Sequence, residues 1–135
     1  MIVNLFPQLL SYSELGIFML RVALALIFLE FGYTKFTTQK KLKVDFFETI
    51  GLKPGERYVK IFAGLEIAIG LGLLVGIYTQ AMALLAALIL LGTTIIKKRK
   101  PALLPSELRY YIIIFLISFT ILLTGAGSYS IDLPL

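Results

Sequence analysis

The chain has 135 residues, 59% of them hydrophobic and only 16% charged, with a formal net charge of +5. That is too apolar for a water-soluble domain of this size, whose surface would need more polar cover, so lipid must supply the missing apolar solvent. Cysteine and histidine are both absent, which excludes disulfides, thiol redox chemistry and the usual haem and zinc ligands, and gives no reason to expect an intrinsic metal or cofactor.

Four apolar stretches account for about half of the chain: Leu15 to Tyr33, Ile61 to Ile77, Ala81 to Ile96 and Tyr110 to Leu123. Met1 to Ser13 carry no Lys or Arg, unlike the basic start of a cleaved signal peptide, so the first stretch is expected to stay in place as a membrane helix. Leu5, Phe6, Leu9 and Leu10 among polar neighbours suggest a short interfacial helix whose start is shaped by Pro7; a disordered start suits the same residues. After the first stretch, Leu42, Phe46, Phe47 and Ile50 recur at helical spacing among Lys40, Lys41, Lys43, Asp45 and Glu48, which predicts an amphipathic helix resting on the inner leaflet. Gly51 ends it, and Pro54 stands where a first-turn proline would start the second long helix.

Only Tyr78, Thr79 and Gln80 separate the second and third stretches, whose joined length far exceeds one crossing, so a tight helical hairpin is expected. Glu107, after Pro105 and Ser106, complements the start of the fourth helix, and lies at a depth where contact with Lys35 is also open. Gly125 and Gly127 stop that helix, after which Tyr129, Ile131 and Leu133 are expected to fold back over the outer mouth, with Asp132 tying down the return. No linker, repeat or low-complexity tract divides the chain, which reads as one domain over residues 1–135. The expectation is an all-α membrane protein: an antiparallel bundle of four transmembrane helices, with the short amphipathic cytoplasmic helix between spans one and two.

Orientation follows from the cations. Lys35, Lys40, Lys41, Lys43, Lys53, Arg57 and Lys60 lie between the first and second stretches, Lys97, Lys98, Arg99, Lys100 and Arg109 between the third and fourth, and Arg21 completes the total of 13. Lys and Arg are retained on the cytoplasmic side, so both basic loops belong there and both termini outside, in a multi-pass protein of the cell (inner) membrane. A re-entrant hairpin would instead place the two basic loops on opposite faces. The positive charge thus reads as topology and attraction to anionic lipid, with no nucleic-acid partner implied.

Charges inside the stretches are the informative exceptions, since an ionisable group at bilayer depth costs roughly 2.5 kcal/mol or more. Arg21, Phe28, Gly32 and Lys35 are spaced seven, four and three apart, so they share a helix face. Glu66 lies nearer the inner leaflet than Arg21, yet a long guanidinium bending toward it and Lys35 rising from below would make an Arg21/Glu66/Lys35 cluster. Mutual neutralisation is the favoured reading of that cluster; the functional alternative leaves one valence open for a polar or anionic ligand such as a quinone carbonyl. Glu30 is half a turn out of phase with Arg21 and pairs either with Glu66, sharing a proton, or with the interface by snorkelling. Ala68, Gly72 and Gly76 form a small-residue packing face on the second span, and Gly70 could leave room beside the Glu66 carboxylate. Gly32, Lys35 and Glu66 could border a polar cavity with Phe28 and Phe62 as flat walls.

These pieces in this order, Arg21 with Gly32 and Lys35 in LRVALALIFLEFGYTKF, then FFETIGLKPGERYVKIFAGLEIAIGLGLLVGIYTQAMAL around Glu66, then Glu107 and the ending GAGSYSIDL, resemble the DoxX family of small membrane proteins. The resemblance runs over nearly the whole chain. Glu30 departs from it, since the family usually shows an apolar, aromatic or histidine residue there. The resemblance implies a four-helix membrane bundle and a link to membrane redox systems, among them the DoxD-type subunit of thiosulfate:quinone oxidoreductase.

Three function classes follow. The first is a non-catalytic subunit of a quinone-linked redox system, working with partner subunits and a possible bound quinone. The second is a small proton-coupled or small-molecule transporter, which at this size would need to form a homodimer. The third is a membrane assembly or chaperone factor in which the charges only hold shape. A hydrolase is disfavoured, because no His, Cys or G-x-S-x-G nucleophile motif occurs and no catalytic residue can be assigned.

Overall fold

The computed structural model describes residues 5–37, 40–101 and 106–127, and every regular element among them is helical. A short 3-10 helix, Pro7–Tyr12, leads into α1 (Ser13–Phe36); α2 (Lys40–Thr49), α3 (Gly55–Val75), α4 (Thr79–Arg99) and α5 (Leu108–Thr124) follow. By length and composition three units can cross a membrane: Pro7–Phe36, α3 and α4. With 17 residues α5 is shorter, about 26 Å at 1.5 Å per residue. The expected outer return through Tyr129 and Asp132, and Pro105, lie outside the described residues.

The core is largely apolar, but the surface is apolar as well, and several polar groups lie inside. Arg21, Glu66 and Ser118 are buried, whereas Leu26 and Leu88 are each 56% exposed. Exposed leucine on long helices is what an acyl-chain environment allows and water does not.

Packing goes round a ring in which α1 lies against α3, α3 against α4, α4 against α5 and α5 against α1. Neighbours run antiparallel. Ala25, midway along α1, meets Gly70 in the last third of α3, while Gly32 toward the end of α1 meets Ala63 in the first half of α3; Gln80 at the start of α4 donates to the Leu122 carbonyl at the end of α5, 3.0 Å away. The charged termini gather at one end with α2, here called the basic end; the α3–α4 turn marks the hairpin end.

The α1–α3 contact is the tightest of these. An added Cβ would approach the Ala63 carbonyl oxygen to 2.9 Å from Gly32, and the Ala25 carbonyl oxygen to 3.0 Å from Gly70. Gly32 and Ala25 are seven apart, as are Gly70 and Ala63, so two whole turns of each helix are brought together backbone to backbone. The small residues that do this differ from those singled out in the sequence. Ala68 is exposed, Gly72 faces Met82 of α4, and Gly76 is the left-handed residue (φ 83°) that ends α3. Glycine recurs on several faces of α3, and only the position of α1 decides which face is used.

Two connections are compact. Gly76 and Ile77 both donate to the Gly72 carbonyl (2.8 and 3.0 Å), and Tyr78 takes the left-handed region at φ 49°, so the hairpin turns within Gly76–Tyr78, slightly earlier than expected. At the end of α2, Leu52 donates to Phe47 (2.9 Å) across Gly51 at φ 94°, a glycine-terminated helix end. Pro54 is the N-cap of α3, one position before the expected one, and the Gly55 amide is received by Glu48 of α2 at 3.3 Å. That bond and the Lys40–Glu56 pair (3.4 Å) fasten α2 to α3.

The glycine contact is testable. Gly32→Ala should lower thermal stability in detergent by about 1–3 kcal/mol through overpacking. Gly64, with nothing within 4 Å of an added Cβ, should gain up to about 1 kcal/mol on change to Ala from helix propensity. Equal gains at both positions would show that α1 and α3 are not in backbone contact.

Candidate functional site

Lys35 stands in the last turn of α1 and Glu66 midway along α3. Helical side chains lean toward the N-terminus of their own helix, and in an antiparallel pair those directions converge. The Lys35 ammonium thus donates to both carboxylate oxygens of Glu66, at 2.8 and 2.6 Å. Both side chains are buried, 10% and 4% exposed, and the Lys35 ammonium also lies 5.8 Å from the Phe31 ring centre. A charge pair in such surroundings needs this two-point geometry, because each ion removed from water costs several kcal/mol.

Arg21 does not join them. Its 14 residues from Lys35 are about 21 Å of helix, Glu66 is bonded to Lys35, and the guanidinium lies 5.3 Å from the Phe18 ring centre. Arg21 is fully buried, but its side chain leans toward the hairpin end, away from Glu66. The expected Arg21/Glu66/Lys35 cluster therefore separates into a Lys35–Glu66 pair at one depth and Arg21 at another. Seven-residue spacing places residues on one face; it says nothing of which turn of the next helix each will meet.

Glu30 is exposed and its charge acts on Tyr110 at the start of α5, so it does not share a site with Glu66. Glu107 is the exposed N-cap of α5 and makes no side-chain capping bond; Lys35 is bonded to Glu66 instead. Gly70 leaves no room beside the carboxylate, since Leu29 fills the space (2.7 Å from an added Cβ).

A cavity of about 350 Å³ opens on the Lys35–Glu66 pair at the basic end. Phe62 lines it as expected, but Gly32 and Phe28 do not. Gly32 is sealed by α3, and Phe28 is fully buried behind Phe31, edge to face at 5.8 Å. The walls that the sequence did not reveal come from Phe31, from Phe46 and Phe47 of α2, from Tyr111 of α5 and from the second half of α4. Phe47 stacks on Phe62 with centroids 5.1 Å apart and 25° between planes. The aromatic face of α2 is thus turned into the bundle, while Leu42 is 67% exposed; α2 covers the basic end, and is not simply laid on a leaflet. The adjacent pair Phe46-Phe47 was the available signal, because a single lipid-facing stripe would not need both.

Lys43 of α2 also lines the cavity. Burial first, then the Lys35 charge, push its ammonium down from 10.5 to about 8, with Glu66 opposing. With Lys35 already engaged, the three charges leave a net cationic rim in an aromatic chamber. Such a chamber can orient a flat molecule and donate hydrogen bonds to an oxygen on it. Among the described residues no three Asp, Glu, His or Cys side chains converge to hold a metal ion.

The sequence model of the DoxX family matches residues 16–99. The chain belongs to the DoxX family. No curated protein and no solved structure matches it. The DoxX match runs from the first turn of α1 to the end of α4, and so contains Lys35, Glu66, Lys43 and every cavity wall except Tyr111. α5 lies beyond it.

Lys35→Met and Glu66→Leu should each cost about 3–5 kcal/mol of stability by stranding a buried charge, and the double change far less than the sum. Additive shifts of unfolding temperature in detergent would show that the two groups are not coupled. Arg21→Leu combined with Glu66→Leu should be additive.

Proposed function

We propose that this DoxX-family protein is a non-catalytic membrane subunit of a quinone-linked redox system, and that its cavity seats the quinone head group. The observation that carries this reading is the cavity itself: aromatic rings on several sides, and Lys35, Glu66 and Lys43 at one edge. Apolar walls with a few fixed polar groups are what a selective small-molecule site requires. Flat rings such as Phe62 and Phe47 suit a planar ligand, and a lysine ammonium suits its carbonyl oxygen. The family's link to membrane redox systems supports the same choice, and any electron transfer would be carried by the quinone and by partner subunits.

In this reading α5 completes a four-span antiparallel bundle in the cell (inner) membrane by borrowing flanking residues. The basic end is cytoplasmic and both termini are outside. The exposed apolar flanks are then available to lipid and to partner subunits.

A short-chain quinone analogue should bind the purified protein saturably, and Lys35→Met or Glu66→Gln should each weaken binding by about tenfold or more, the worth of one charge-assisted hydrogen bond. Equal affinity in all three proteins, or no saturable binding, would overturn the reading. Topology is tested separately by single cysteines at Lys98 and Tyr78, on a chain with no native cysteine. An impermeant reagent on intact cells should label position 78 and spare 98; the reverse would invert the protein.

A further inference from the structure

α3 and α4 diverge from their shared turn. At the hairpin end Gly72 lies against Met82, whose side chain would be 3.0 Å from an added Cβ. Toward the basic end the cavity stands between the two helices, with Phe62 and Glu66 on the α3 side and residues from Leu88 to Ile96 on the α4 side. The α4 wall runs out to the surface: Leu88 lines the cavity and is still 56% exposed. Gly92, on the same face one turn later, lines it too, and an added Cβ there would meet nothing within 4 Å. Gly92 precedes Lys97 by five residues, about 7.5 Å of helix, so this rim lies within the apolar stretch of α4 and not among its terminal cations.

A chamber with its charges at one edge and an apolar, lipid-level gap at another matches a ligand with a polar head and an apolar chain. We infer that the cavity opens sideways into the bilayer between α3 and α4, and that it takes an amphiphile whose head sits at Lys35, Glu66 and Lys43 while its chain leaves past Gly92 and Leu88. A chain in that gap stays in a solvent as apolar as itself, so it need not be folded into the cavity. Gly92 is then the residue that sets specificity, because the absence of a side chain keeps the gap open. The inference rests on the quinone reading for the head group and adds the chain and its route.

The test uses two probes, decylubiquinone and the same ring without its chain, with native protein, Gly92→Phe and Gly64→Phe in lipid nanodiscs. Gly64 is the control, exposed on α3, outside the cavity lining and with open space around it. Gly92→Phe should weaken decylubiquinone by about tenfold or more and leave the chainless ring within about twofold, and Gly64→Phe should change neither. Native affinity of Gly92→Phe for both probes would remove the side opening and keep the head-group site. Equal loss of both probes would make Gly92 an ordinary wall and also overturn the opening. Failure of the native protein to bind either probe would remove the head-group site and the opening together.

Discussion

Everything at the basic end depends on how closely α1 and α3 approach. In lipid no hydrophobic force draws helices together, so association rests on dispersion between surfaces that fit and on polar groups that find partners. Gly32 and Gly70 supply the first by letting each backbone reach the carbonyls of the other helix. That contact fixes the register, and the register brings Lys35 under Glu66 with both side chains leaning the right way. A slip of α1 by one turn, about 5.4 Å, would carry Lys35 away from Glu66 and cost the carboxylate both of its hydrogen bonds.

The pair in turn shapes the cavity. Because Lys35 donates two bonds to Glu66, the pair forms a fixed edge, and Lys43 of α2 adds a second cation beside it. α2 is tied to the start of α3 by Glu48 and by the stacking of Phe47 on Phe62. The chamber is therefore built from a rigid helix pair, a splayed α4 and a short helix closing the end.

Much of this was legible in the sequence, for reasons that also explain the rest. Length and hydropathy reveal a membrane helix because the bilayer imposes both, and the cation-rich segments mark one end because the charges cannot be elsewhere. The hairpin followed from three residues between two long stretches. Lys35 and Glu66 stood out because ionisable groups at that depth need a reason. Vertical register was not legible: the phase of Arg21 matched Lys35, but its depth relative to α3 is set by Gly32 and Gly70, whose role depends on the neighbouring backbone. Likewise the apolar face of α2 could be read, but its choice of protein over lipid rests on Phe62, sixteen residues after Phe46 and in another helix.

The positions of the two charges along their helices bear on how the chain enters the membrane. Lys35, in the last turn of α1, has a stem long enough to hold its ammonium near the head groups while α1 is alone in the bilayer. Glu66 stands midway along α3, five residues inside the apolar stretch that begins at Ile61, and its shorter side chain reaches less far toward water. Synthesis runs from α1 to α3, so the lysine is already in place when the carboxylate leaves water. The carboxylate of α3 thus arrives second, beside a waiting counter-ion.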